Sequence, residues 1–174
     1  MSGTIIDLFA GPGGWSEGLK SLGRTEVGIE LDEAACATAR AAGHARYQGD
    51  IAKLEPTHFY GSSTHVDGLI ASPPRPGFSA AGKGLGKLDL LMLLDVIDEI
   101  GKGDHSIDTM LRYARNQQRD ERSALTLEPL RWALALEPTW LAWEQVPAVL
   151  PLWEACAVVL RVQGWNVWVG VVNA

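Results

Sequence analysis

The chain has 174 residues, 47% hydrophobic and 21% charged, with a formal net charge of −6. That composition supports a globular core, and its acidic balance argues against a free-standing nucleic-acid binder with a basic face. No apolar run approaches the roughly 18 residues of a membrane helix, no signal-like segment opens the chain, and the four histidines lack metal-ligand spacing.

Strand-like and helix-like segments alternate, which predicts a doubly wound, mostly parallel α/β sheet in one domain over residues 1–174. Thr4 to Phe9 reads as a first strand, closed by the turn Gly11-Pro12-Gly13-Gly14, with a helix from Trp15 to Leu22. Glu26 to Leu31 is a second strand, and Asp32 fits the N-cap of an alanine-rich helix, Glu33 to Ala42. A short third strand, Arg46 to Gln48, runs into Gly49-Asp50, and a fourth, Val66 to Ala71, ends at a Pro-Pro pair. Helices are expected over Leu88 to Ile100, Asp104 to Gln118 and Ser123 to Leu136, the last strongly amphipathic. Trp140 to Glu144 is a fifth strand, Leu150 to Gln163 a helix, and Asn166 to Val172 a sixth strand. Cys36 and Cys156 fall in helical segments and read as small buried hydrophobes of a protein in the reducing cytoplasm. The basic residues Lys83, Lys87, Lys102, Arg112, Arg115, Arg119 and Arg122 are interleaved with acids, as on a solvated mixed-charge surface.

A glycine turn between a first strand and a first helix lets a ligand approach the backbone and points helix amides at an anion. By itself the turn is common to many nucleotide-binding folds, and it departs from the dinucleotide fingerprint, since Ser16 stands where the sixth-position glycine would be. Glu30 closes the second strand at the distance expected of a carboxylate that accepts ribose hydroxyls, and Asp50 ends the third, where it can accept from an adenine amine. Together they describe a site for a nucleoside with an anionic tail, which S-adenosylmethionine satisfies. The same acids also fit plain capping roles.

Three stretches carry a resemblance: Asp7-Leu8-Phe9-Ala10-Gly11-Pro12-Gly13-Gly14, Ser72-Pro73-Pro74-Arg75-Pro76-Gly77-Phe78-Ser79 and Glu144-Gln145-Val146. Together the chain resembles the DNA (cytosine-5)-methyltransferase family, over nearly its whole length. The resemblance implies that S-adenosylmethionine is held by Phe9, Ala10, Gly11, Gly13, Gly14, Glu30, Leu31, Asp50, Ile51 and Pro74. It puts the cysteine nucleophile at position 75 and a carboxylic acid, Glu144, near N3 of a cytosine swung out of the duplex. The chemistry needs a thiolate to add at C6 so that C5 can take the methyl group. Here position 75 is arginine, whose guanidinium has no nucleophilic lone pair. Arg75 therefore marks a pseudoenzyme, a changed active enzyme, or a site displaced from the motif. The region of Gly82 and Gly84 to Gly86 resembles the loop that closes over the base, and Gln145 replaces the family's asparagine. Asp120-Glu121-Arg122-Ser123, Glu128 and Arg131 also match the family, as structural ion pairs and caps.

Beyond Val172-Asn173-Ala174 the family continues with a completing strand, an arginine-rich motif, the target-recognition region and a helix that returns to the first strand. The resemblance thus implies a sheet incomplete at its C-terminal edge, and DNA as a partner only with a C-terminal half or a partner subunit. Two functions from different classes follow: a DNA cytosine-5 methyltransferase that is inactive as it stands, or a cofactor-binding pseudoenzyme that regulates or complements a split enzyme. A metal is not expected.

Overall fold

The computed structural model describes residues 4–57, 65–75, 85–103 and 105–172. Its strands are β1 (Thr4–Leu8), β2 (Val27–Glu30), β3 (Ala45–Gln48), β4 (Val66–Ala71) and β5 (Trp140–Trp143). The helices are α1 (Gly14–Ser21), α2 (Glu33–Ala41), α3 (Leu85–Lys102), α4 (Ile107–Gln117), α5 (Glu128–Leu136) and α6 (Leu150–Val162). These elements fall into two compact units, Met1–Pro73 with Glu128–Glu144, and Pro74–Leu127 with Gln145–Ala174.

The first unit holds the whole sheet, in the order β3-β2-β1-β4-β5 with every pairing parallel. Its central strands are almost continuously apolar because parallel strands are covered on both faces. Ile5, Ile6, Leu8, Ile29, Leu69 and Ile70 are fully buried, each contributing about 1.5–3 kcal/mol of hydrophobic stabilisation. Gly68 faces Trp140 across the β4–β5 ladder, and the indole lies where a side chain at 68 would stand. The Asp32 cap is observed: its carboxylate accepts from Ala35 N at 2.7 Å and starts α2. Strand order reverses between β1 and β4. In open α/β sheets a crevice opens at such a switch point, outside the carboxyl ends of the strands.

The second unit is helical. Asp89 on α3 is buried and accepts from Arg119 N, Asp120 N and Ser123 Oγ at 2.7–3.1 Å, which fastens the turn after α4. Ser106 caps α4 by accepting from Thr109 N. Arg122 grips Asp120 through two bonds of 2.9 and 2.7 Å, and Lys102 pairs with Asp98 and Glu99. These pairs fit the mixed-charge reading of the basic cluster.

Two expectations are corrected. The single helix expected over Ser123 to Leu136 is a 3-10 turn, Ala124–Leu127, followed by α5 from Glu128. Pro129 explains the break, because it has no N–H to donate and is accommodated only in a first helical turn. The sixth strand does not form: residues 166–172 carry no ladder, although half-buried and exposed positions alternate along 165–170 as in a strand. A strand exists only by pairing, and among the described residues none pairs with this segment. No helix among the described residues is long and apolar enough to cross a membrane.

Candidate functional site

Because all five strands run parallel, their carboxyl ends share one edge of the sheet. The glycine turn leaves β1 there, Glu30 and Leu31 end β2, Gly49 to Ile51 follow β3, Ser72 and Pro73 follow β4, and Glu144 follows β5. The topology thus gathers on one edge the expected residues that belong to the first unit. Pro74, half-buried, and Arg75, exposed, belong to the second unit.

The turn is tightly built. Phe9, Gly11 and Gly13 take φ of 60°, 53° and 118°, so three of five successive residues are left-handed, one of them without glycine's freedom. Gly11 N donates to Glu30 Oε2 at 2.9 Å, and Glu30 Oε1 accepts from Asp32 N at 2.8 Å. Glu30 therefore does cap the backbone, yet each oxygen keeps a lone pair for a further donor. A side chain at Gly11 or Gly14 would project into open space, a cradle that the glycines leave empty. The N-terminus of α1 has no side-chain cap, which leaves its first amides available to an anion. Trp15 Nε1 donates to Ser72 Oγ at 2.9 Å and ties the helix to the exit of β4 across the switch point.

Leu31 is 64% exposed, whereas Ile51 is buried and offers a wall more than a face. Asp50 accepts from Ala52 N at 3.0 Å and pairs with Lys53 at 3.1 Å. Arg131 holds this loop from beneath, donating to Ile51 O at 2.8 Å and Leu54 O at 2.9 Å while paired with buried Glu128 at 2.8 Å. Glu144 is exposed, and its N–H donates to Ala71 O at 3.0 Å, beside the exit of β4.

The thiols lie elsewhere. Cys36 and Cys156 are free and buried in α2 and α6, and burial pushes the Cys156 thiol up to about 12 and raises that of Cys36. Neither supplies a thiolate. Of the expected closing loop, Gly82 and Gly84 lie outside the described residues, while Leu85 and Gly86 belong to the first turn of α3.

Sequence reasoning missed a buried polar group below the turn: Asp7, Ser16, Glu26 and Arg46. The available signal was charge inside strands that otherwise read apolar. Neither oxygen of Asp7 has a hydrogen-bond partner among the described residues, and burial pushes its carboxyl up to about 7, against the nearby Arg46 charge. Glu26 and Glu30 push it in the same direction as burial.

A parallel sheet with a glycine turn at its switch point and acids at its strand ends is a Rossmann-like fold of the methyltransferase type. The chain belongs to the C-5 cytosine-specific DNA methylase family, whose profile matches residues 3–98, more than half of it. It is 39% identical over 88 residues to type II methyltransferase M1.HphI of Haemophilus parahaemolyticus, a match covering 48% of this chain and 24% of that protein. With type II methyltransferase M.DdeI of Desulfomicrobium norvegicum it shares 41% identity over 81 residues, 45% of this chain and 20% of that one. The matched stretch thus spans no more than a quarter of either relative. The S. pombe Dnmt2 methyltransferase has the same fold, with a TM-score of 0.52 at 15% identity over 95% of this chain and 41% of its own. The cofactor of the family is S-adenosylmethionine.

Proposed function

We propose that this chain is the cofactor-binding portion of a DNA cytosine-5 methyltransferase that cannot perform the covalent step as it stands. The observation that carries the reading is the Gly11–Glu30 arrangement at the switch point: an open glycine cradle, an uncapped helix N-terminus and a carboxylate with a free lone pair on each oxygen. These residues fit S-adenosylmethionine, which supplies an electrophilic methyl group on its sulfonium. Glu30 would hold the ribose hydroxyls, Asp50 the adenine amine with Leu31 and Ile51 flanking the ring, and Phe9 to Gly14 the methionine end. Glu144 would hold a proton near N3 of the target base.

Arg75 stops the chemistry, since a guanidinium cannot add to C6. Its charge suits contact with a phosphate. DNA as the substrate is supported by the family and by two relatives named type II methyltransferases. Turnover also needs the rest of the domain, supplied by further chain or by a partner subunit. Among the described residues β5 has no outer neighbour, and Trp140-Leu141-Ala142-Trp143 is apolar throughout, without the charge or proline that guards most open edges. Buried free cysteines agree with the reducing cytoplasm.

Calorimetric titration with S-adenosylmethionine tests the reading. The chain is expected to bind, and Asp50→Ala to weaken binding about tenfold, the worth of one good hydrogen bond. Equal affinity in the variant would remove Asp50 from the site. Arg75→Cys, joined to the remaining length of a relative, is expected to incorporate methyl label into DNA where the Arg75 parent does not. If neither protein labels DNA while both bind cofactor, the regulator reading replaces the enzyme.

A further inference from the structure

Beneath the glycine turn lies a buried charge cluster that the roles above leave unused. Arg46 leaves the edge strand β3 and lays its guanidinium across Gly28, where a Cβ would come within 2.6 Å of its central carbon. Nη1 donates to Glu26 Oε1 at 2.9 Å and to Ala45 O at 2.8 Å, Nη2 to Ser16 Oγ at 2.7 Å, and Nε to Gly11 O at 3.3 Å. Ser16 Oγ in turn donates to Glu26 Oε1 at 2.6 Å. The Arg46 side chain is wholly buried and that of Glu26 nearly so.

A buried ion pair is a poor stability device, because desolvating two charges costs about as much as their attraction returns. Apolar side chains of similar volume would hold the sheet equally well. What they could not do is donate to the Gly11 carbonyl. The Gly11 residue is gripped on both sides, its N–H by Glu30 and its C=O by Arg46. The grip falls on a turn whose left-handed residues have no regular structure of their own to hold them.

We infer that Arg46 is a positioning residue for the cofactor turn. It fixes Gly11 to Gly14 and the first amides of α1 in their ligand-ready arrangement before any ligand arrives. A loop already ordered loses less entropy on binding, so Arg46 sets cofactor affinity without touching the cofactor. The inference rests on the proposed cofactor site and adds a residue to it.

The test compares the natural chain with Arg46→Lys and with the double variant Glu26→Leu/Arg46→Met, which removes both members of the ion pair together. Three measurements are made: thermal melting, the glycine amide resonances of residues 11, 13 and 14 without ligand, and calorimetric titration with S-adenosylmethionine. The double variant is expected to melt near the natural chain. Both variants are expected to shift and broaden the three glycine amides and to bind about tenfold more weakly. Unmoved glycine amides and unchanged affinity in a stable variant would overturn the inference. If the double variant does not fold, Arg46→Lys, which keeps the charge opposite Glu26, carries the comparison. If the natural chain takes up no cofactor, the reading of the site fails, and the glycine amides still decide the positioning role.

Discussion

Glu128→Ala is expected to destabilise the first unit by about 3–5 kcal/mol, the cost of removing one member of a buried ion pair. Glu128 is fully buried and Arg131 nearly so, 2.8 Å apart one helical turn from each other at the start of α5. Without the carboxylate, the Arg131 guanidinium keeps its bonds to Ile51 O and Leu54 O but loses the Glu128 charge 2.8 Å away. The damage should therefore reach the loop that carries Asp50, some eighty residues away in sequence. Urea unfolding measures the loss, and hydrogen exchange at Ala52 to Leu54 shows whether the loop loosens with it. Glu128→Gln, which retains an acceptor, should cost less. A loss below about 1 kcal/mol for the alanine variant would mean that water or a neighbour replaces the carboxylate.

Asp7→Asn is expected to stabilise the protein at pH 8 by on the order of 4 kcal/mol, and to leave it nearly unchanged at pH 4. Asp7 is the fourth residue of β1 and is fully buried, with its carboxyl pushed from 3.8 up to about 7. Between these values the folded chain holds a proton that the unfolded chain has released. Stability therefore falls as pH rises through this window, and the full penalty is present above about pH 7. Asparagine is neutral throughout, so the variant should lose this part of the pH dependence. Arg46, which faces Asp7, limits the penalty, while Glu26 and Glu30 add to it. Chemical denaturation at several pH values provides the curve, and parallel slopes for the two proteins from pH 4 to 7 would contradict the assignment. A residue that weakens the fold at neutral pH invites a measurement of cofactor affinity in the same variant.

The readable parts of this sequence were those whose physics is local. The apolar run of β1, the Asp32 cap and the Pro-Pro stop after β4 each depend on a few consecutive residues, and each stands where expected. That Glu30 and Asp50 lie on one edge was readable because strand ends in a parallel sheet share it. Contacts between distant residues were not. Arg46 reaches Ser16 from thirty positions away, and only because Gly28 between them has no side chain. Arg131 meets the Asp50 loop across a still longer gap, 80 positions to Ile51. The sixth strand failed for a related reason: its residues have strand character, but pairing is a property of two segments, and periodicity describes only one.

Gly68 and Trp140 form a single unit of size across two strands. The ring of Trp140 fills the space a side chain at 68 would need, so any residue larger than glycine must push the indole aside. Reducing Trp140 alone instead leaves a hole above β4. Each single step is penalised, while exchanging both together conserves volume. The two positions should therefore drift through related chains as a pair, with a small aromatic or aliphatic residue at 140 wherever 68 has gained a methyl group. A lineage crossing between the two states has to pass through a weakened intermediate, which makes this corner of the sheet slow to change.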